Sequence, residues 1–343
     1  MAKDSSTELM NTTRNGGGGR NSSIELMRII IMFMILILHA NFFTFDIPVN
    51  HNLTTLLRCN LEGLTIMAVN VFVLITGYFG TSFRLNKVLN LGYQAIFAVV
   101  PIALGYTIYS HTIESFKFWG YWFINAYVGL LILSPILNTA VNKFSKTQHS
   151  AFLIIFYTLL GFNDYLGIWY LGFGFTGGYS ILWFIFLYMA GRFLAKYPLK
   201  IKKINLVLIF IGSLIGETAI LFFKIRNYFN YDNPLLVLQS MSFFLFFTKF
   251  QFQNRLINYV AASTTMVYLL NLQPQLCEIF KSTLWKLYAS HSMVTFVALA
   301  LAFCIGFFIL SILYDQLRLL TWRWFSPIAD RLSNKLYTIT QYK

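Results

Sequence analysis

Two ionisable side chains, Arg28 and His39, lie in the first long apolar stretch of the chain. They are eleven residues apart. In an α-helix that spacing is about 20° past three full turns, so both side chains point to the same face, about 16 Å apart along the axis. Glu25 lies three residues before Arg28 and shares that face. Because charged groups at membrane depth are costly, these residues are candidates for a functional role.

The pair has side chains that an acyl transfer can use. A histidine can take a proton from a sugar hydroxyl as that hydroxyl attacks a thioester carbonyl. An arginine can hold phosphates or polarise a carbonyl. His39 is the one histidine within an apolar stretch, and the other four fall in predicted loops: His51, His111, His149 and His291. Two alternatives stay open, namely that Arg28 snorkels to the inner surface and that His39 is a hydrogen-bonded core residue.

Further candidates lie outside the first apolar stretch. Arg84 and Lys87 follow the second stretch and share one face if that loop is helical. They can bind the phosphates of coenzyme A, although ordinary loop charge explains them equally well. Glu217 lies in the middle of the seventh stretch, where it either pairs with a basic residue or faces an aqueous cavity.

The elements that must position these residues are apolar helices. The chain of 343 residues is 57% hydrophobic and 11% charged, whereas soluble domains are about 25% charged. We therefore predict an all-α integral membrane protein, a bundle of about ten transmembrane helices. The ten predicted segments are 24–43, 64–80, 88–110, 119–141, 150–162, 180–197, 204–223, 234–250, 258–274 and 293–314.

The basic residues predict the topology. If the N-terminus is inside and the helices alternate, the inner segments hold 19 of the 26 lysines and arginines and the outer loops hold 6. This bias predicts cytoplasmic N- and C-termini in the plasma membrane. It also explains the net charge of +14 without a nucleic-acid partner. We expect a disordered leader at 1–21, a membrane domain at 22–314 and a basic tail at 315–343 that lies along the membrane surface.

Several segments resemble the acyltransferase-3 family of membrane acyltransferases. Arg28 and His39 match its pattern of arginine, ten residues and histidine, and VNVFVLITGYF is similar to its second-helix signature. Arg84 and Lys87 resemble its basic R-x-x-R motif, with lysine in the last place. Two later segments, WFINAYVGLLILSPILN and GGYSILWFIFLYMAGRFL, resemble the branch that acetylates bacterial capsular and exopolysaccharides.

The resemblance implies an activity and its residues. It implies transfer of an acyl group, usually acetyl from cytoplasmic acetyl-CoA, to a sugar hydroxyl of a polysaccharide or lipid-linked sugar at the outer face. His39 would be the catalytic residue, and Arg28, Arg84 and Lys87 would serve the acyl donor. The resemblance implies acetyl-CoA as co-substrate, and we expect no bound cofactor and no metal. Because no hydrolase-like domain follows the last segment, we expect the acceptor to reach the membrane domain or a separate partner.

Besides the lysine at position 87, the chain departs from the family pattern in a late helix. STTMVYLLNLQP resembles a late helix in which we expect a histidine, and this chain has Asn271. Asn271 can still form hydrogen bonds, but a role for the family's histidine does not carry over. Two other functions stay open: a transporter or flippase for lipid-linked sugars, in which Arg28 and His39 are gating groups, and a membrane scaffold without activity. The outer loop 163–179 is rich in aromatic residues and glycines, which suits either an interfacial belt or a site for sugars.

Overall fold

The protein is built entirely of helices. The computed structural model describes residues 21–46, 50–111, 121–168, 176–225 and 229–341, and these residues contain no β-strand. The prediction of an all-α protein is confirmed for this part of the chain. Except for Asn21, the predicted leader at 1–21 lies outside the described residues.

Each of the ten predicted segments overlaps a helix. The α-helices are α1 (Ser22–Ala40), α2 (Leu53–Ile66), α3 (Ala68–Phe79), α4 (Leu85–Ser110), α5 (Trp122–Lys143), α6 (Lys146–Phe156), α7 (Asn163–Leu166), α8 (Ile181–Lys196), α9 (Lys203–Phe222), α10 (Pro234–Thr248), α11 (Arg255–Ala261), α12 (Thr264–Asn271), α13 (Pro274–Ser290) and α14 (Met293–Gln341). A π-helical turn, Tyr157–Phe162, joins α6 to α7.

Six helical segments of the described chain are long and apolar enough to cross a membrane. They are Ser22–Ala40, Leu53–Phe79, Leu85–Ser110, Trp122–Lys143, Lys203–Phe222 and Met293–Leu336. The chain is therefore a multi-pass membrane protein. The count of about ten crossings stays a prediction, because helices such as α8 and α10 are shorter than a usual span. The cytoplasmic position of both termini also stays a prediction.

The structure differs from the sequence prediction at several places in the first and middle parts of the chain. Asn21, the last residue of the predicted leader, instead caps α1 by accepting the backbone N–H of Ser23 at 3.1 Å. Arg58 lies within α2 and not in a loop, because the second helical segment begins at Leu53. His149 lies in α6 and is fully buried, with its Nε2 3.1 Å from the carbonyl of Met189. The sequence analysis assigned Arg58 and His149 to loops because the residues around them are less apolar than those of a typical membrane span.

The end of the chain differs as well. Helix α13 was expected to be a loop, and its amphipathic sequence lacks the apolar run of a membrane span. Helix α14 continues without a break past residue 314, where we had expected a tail on the membrane surface. Beyond that point it runs antiparallel to α4, with Tyr93 Oη donating to Thr321 at 2.7 Å and Asn86 donating to Asp330 at 2.7 Å. Residues 315–330 thus belong to the helical bundle.

Two glycines let α3 and α8 cross at close range. A Cβ at Gly77 would lie 2.8 Å from the Cα of Tyr188, and a Cβ at Gly191 would lie 2.7 Å from the backbone nitrogen of Tyr78. No side chain fits at either distance. Helices in lipid associate through such packing because the lipid tails are as apolar as the helix surfaces. The crossing brings the loop that follows α3 against the inner end of α8.

A buried ion pair within α14 is hydrogen-bonded to α4. Arg318 Nη2 donates to Asp315 Oδ2 at 3.0 Å, and its Nη1 donates to Asn90 at 3.2 Å. Both charged side chains are at most 3% exposed. A buried charge is tolerated only with a partner and further hydrogen bonds, so the three groups depend on one another.

Candidate functional site

A cavity surrounds the imidazole of His39. Its free volume is about 50 Å³, which is room for a few water molecules. Its walls come from α1, α3, α5, α12 and the loop before α10. The lining residues are Met32, Ile35, Leu38, His39, Val69, Phe72, Trp122, Phe123, Ile124, Tyr231, Thr265 and Tyr268.

One hydrogen bond orients the imidazole. Nδ1 of His39 lies within hydrogen-bonding distance of the amide oxygen of Asn271 at the end of α12. An amide oxygen only accepts, so Nδ1 carries the proton and Nε2 keeps its lone pair. This tautomer is the one that a general base at Nε2 needs. Asn271, which departs from the family pattern, thus contacts the predicted catalytic residue directly.

A polar cluster on α2, which sequence analysis missed, holds the chain just beyond His39. Asn41 donates to the carboxylate of Glu62 at 2.8 Å, and Arg58 Nε donates to the amide oxygen of Asn41 at 3.1 Å. The Arg58 guanidinium also lies 4.8 Å from the centre of the Phe42 ring. Glu62 is 4% exposed. The spacing of Arg58 and Glu62, one helical turn apart, was the available signal.

Helix α13 covers the same end of α1. Trp285 Nε1 donates to the carbonyl of Thr44 at 3.1 Å, and Thr44 Oγ1 donates to the carbonyl of His39 at 2.6 Å. The ring of Phe43 lies 4.9 Å from that of His39, and Lys281 lies 3.8 Å above the Phe43 ring. The position of His39 is therefore set by contacts on both sides of the helix end.

Arg28 and Glu25 form an ion pair near the start of α1. Arg28 Nη1 lies 2.7 Å from Glu25 Oε1, and the Arg28 side chain is 27% exposed. Neither residue lines the cavity, in agreement with the axial separation of about 16 Å between Arg28 and His39. The structure places the pair near the start of α1, where a partly exposed arginine can meet an anion.

The loop after α3 presents Arg84 and Lys87. Both side chains are exposed, and Arg84 is the N-cap of α4. Asn138 Nδ2 donates to the carbonyl of Thr81 at 2.7 Å, while Tyr188 Oη accepts the Thr81 N–H at 3.1 Å. Lys87 Nζ donates to Thr81 Oγ1 at 3.2 Å. These bonds hold the loop that bears the two cations.

Arg192 is a third cation at this loop, and sequence analysis did not single it out. A Cβ at Gly80, whose φ is +71°, would lie 2.8 Å from Arg192 Nη1, so the guanidinium lies directly against the loop backbone. Its Nε is buried and has no hydrogen-bond partner among the described residues. No described ion pair involves Arg84, Lys87 or Arg192. Three cations without a described ion-pair partner, one in the loop and two on the helices beside it, favour binding of an anion.

Glu217 lies apart from the cavity. Glu217 lies in α9 and is 1% exposed. A Cβ placed on Gly63 would lie 3.3 Å from the Cβ of Glu217. Gln239 donates from the other side to the carbonyl of Gly63 at 3.0 Å. Oε1 of Glu217 has no hydrogen-bond partner among the described residues, and Glu217 is not in the cavity wall. The structure therefore does not bring Glu217 together with His39.

Aromatic side chains cluster around Trp122 in the wall of the cavity. Trp122 lies 4.9 Å from Tyr179 and 5.7 Å from Tyr231 between ring centroids. Part of the predicted aromatic loop, residues 169–175, lies outside the described residues. Tyr231 is 4% exposed, and its burial raises the pKa of its hydroxyl well above the usual range. These rings form an apolar wall with hydroxyl groups, as sugar-binding surfaces have.

We expect Asn271→Ala to lower kcat of a reaction that uses His39 as its base about ten- to a hundred-fold, because the imidazole loses its orienting partner. KM for the substrate should change little. Asn271→Asp keeps an acceptor oxygen at Nδ1 and should recover part of the rate. Initial rates of the purified variants at varied substrate concentration measure both constants. An equal loss in the Ala and Asp variants would contradict an orienting role.

Comparison with known protein families identifies a domain that contains the whole site. A family model described as an acyltransferase domain matches residues 21–315, which include every residue of the cavity wall. The comparisons with curated proteins and with solved structures found no match. The described residues contain no group of three or more His, Cys, Asp or Glu side chains that could hold a metal ion.

Proposed function

On the premise that the chain belongs to the acyltransferase-3 family, as the match over residues 21–315 shows, we propose that it is an O-acyltransferase of the plasma membrane. It moves an acetyl group from cytoplasmic acetyl-CoA to a sugar hydroxyl of a cell-surface or secreted polysaccharide. The observation that carries the proposal is the imidazole of His39, which lines a cavity and is oriented by Asn271.

His39 acts as the general base. Its Nε2 takes the proton of the acceptor hydroxyl as the hydroxyl oxygen attacks the thioester carbonyl. The tetrahedral intermediate then releases the thiolate of CoA, which receives the proton from the imidazolium. Such proton transfer usually contributes about 10² to 10⁴ in rate. The apolar cavity wall excludes water, which limits hydrolysis of the thioester.

The donor enters from the inner side. Arg84, Lys87 and Arg192 bind the phosphates of CoA, and the partly exposed Arg28 is a further cation for the donor on the helix that bears His39. The pantetheine arm spans the distance of about 16 Å between Arg28 and His39. The acceptor approaches from the outer side along Trp122 and the neighbouring tyrosines, whose faces can stack on sugar rings.

The donor site gives a testable result. Arg192→Ala should raise KM for acetyl-CoA about ten- to a hundred-fold, because it removes a charge-assisted hydrogen bond. The exposed pair in Arg84→Ala/Lys87→Ala should have a smaller effect in the same direction. KM for the acceptor should stay within about two-fold in both. Initial rates with purified protein in nanodiscs measure these constants.

Lys202→Ala is the matched control for the donor site. Lys202 is exposed before α9, and its removal changes the net charge by the same amount as Arg192→Ala. It should leave KM for acetyl-CoA unchanged. An equal increase in the Lys202 variant would indicate a general effect of surface charge, and an unchanged KM in the Arg192 variant would contradict its role.

The function itself is tested by the acetyl content of the surface polysaccharide. A deletion strain of the source organism should lose O-acetyl signals in NMR spectra of that polysaccharide, and the wild-type gene should restore them. Unchanged acetylation together with altered polysaccharide export would contradict the proposal and favour a transporter for lipid-linked sugars.

A further inference from the structure

The N-terminus of α5 opens onto the cavity that holds His39. Trp122, Phe123 and Ile124 are the first three residues of this helix, and all three line the cavity. The N–H of Asn125 donates to the carbonyl of Tyr121 at 3.1 Å. The N–H groups before it have no partner within the helix. The side chain of the N-cap residue, Tyr121, does not cap them.

A buried tyrosine lies beside this helix end. Tyr268 of α12 is 7% exposed, lines the same cavity and has its ring 5.8 Å from that of Phe123. Its hydroxyl oxygen lies near the backbone N–H of Phe123, and its hydroxyl hydrogen has no acceptor among the described residues. Thr265 and Asn271 lie three residues to either side of Tyr268, so α12 presents all three side chains toward the cavity and His39.

The neighbouring tyrosine provides a contrast. Tyr121 is also buried, at 2% exposure, and its hydroxyl donates to the carbonyl of Leu269 at 2.9 Å. A buried hydroxyl without such a partner is costly. The Tyr268 hydroxyl lies in a cavity where the oxygen of a ligand can accept its hydrogen bond and remove this cost. A tyrosine that only packs against its neighbours has no such access to a ligand.

We propose that the Tyr268 hydroxyl, together with the N–H groups at the start of α5 that it does not engage, forms an oxyanion hole for the acyl group. The proposal rests on the proposed acyl transfer. When the acceptor oxygen bonds to the thioester carbon, the carbonyl electron pair moves to the oxygen, and His39 takes the acceptor's proton. Tyr268 and the α5 amides donate hydrogen bonds to that oxyanion. When the C–S bond breaks, the carbonyl reforms and the thiolate leaves.

Electrostatics favour this arrangement. The N-terminus of a helix bears a partial positive charge, which attracts an oxyanion. Donors that are already in place within an apolar site stabilise a developing charge far more than donors in water do. His39 and the two kinds of donor lie in the wall of one cavity, so a single acyl group can meet all of them.

Tyr268→Phe tests the proposal with little change in shape. Removing one oxyanion-hole donor usually lowers kcat about 10²- to 10³-fold, and we expect a loss of that size with KM for acetyl-CoA and acceptor within about three-fold. Tyr121→Phe is the matched control, because it removes a hydroxyl that is already bonded to Leu269. It should affect thermal stability more than kcat. Turnover of Tyr268→Phe at the wild-type rate would overturn the proposal.

An infrared measurement separates this proposal from the proposed function. His39→Ala should bind carbonyl-labelled acetyl-CoA without turnover, and hydrogen bonds from the hole should lower the carbonyl stretching frequency. His39→Ala/Tyr268→Phe should bind the same probe with a higher frequency. Binding with equal frequencies in both variants would overturn the oxyanion hole and leave the function intact. Failure of both variants to bind acetyl-CoA would overturn the proposed donor, and the oxyanion hole with it.

Discussion

His39→Ala should lower acyl transfer about 10²- to 10⁴-fold, the usual contribution of a general base. The imidazole is the one group in the cavity wall with a basic nitrogen, so no neighbour can replace it. Its removal breaks a hydrogen bond to Asn271 but no described ion pair, so we expect the protein to insert and fold. The rate of CoA release with acetyl-CoA and de-O-acetylated surface polysaccharide measures the loss.

His149→Ala is the matched control for this result. His149 is fully buried like a catalytic imidazole, but it contacts the carbonyl of Met189 and the ring of Phe193 and does not line the cavity. We expect this variant to lose thermal stability and to keep its rate per folded molecule. Full activity of a stably folded His39→Ala variant would remove His39 from the chemistry.

Arg318→Leu should lower the free energy of unfolding by about 3–5 kcal/mol, because it leaves Asp315 as a buried group without its cation. Asp315 is 1% exposed, so water cannot replace the lost partner. The variant also removes the bond to Asn90 that connects α14 to α4. Thermal unfolding of the purified protein in detergent should show a lower Tm, while KM for acetyl-CoA of the folded fraction stays unchanged.

The double variant Asp315→Leu/Arg318→Leu distinguishes a buried pair from a surface pair. Replacing both charges by apolar side chains removes the desolvation cost together with the attraction, so most of the lost stability should return. If the charges were exposed, as expected for a tail on the membrane surface, the single variant would change stability by less than about 1 kcal/mol. A small effect of Arg318→Leu would therefore contradict the buried pair.

Part of the site could be predicted from local patterns. The shared face of Arg28 and His39 follows from helical geometry alone, and the fold keeps both on α1. The departure at Asn271 was visible in the sequence, but its contact with His39 was not, because the two residues are 232 positions apart. Arg192, Tyr268 and Glu62 were missed for the same reason. A buried polar group becomes distinctive only when its partners, or their absence, are known.

The sequence by itself determined the fold class, the approximate position of every apolar helix and the helix face that His39 shares with Arg28. These features depend on composition and on a period of 3.6 residues, which are local properties of the chain. Only the tertiary structure decided that residues 315–330 pack along α4, that α13 covers His39, and that α5 and α12 meet at the cavity. Such contacts join distant parts of the chain, and between helices in lipid they depend on detailed packing and hydrogen bonding that no hydrophobic pattern records.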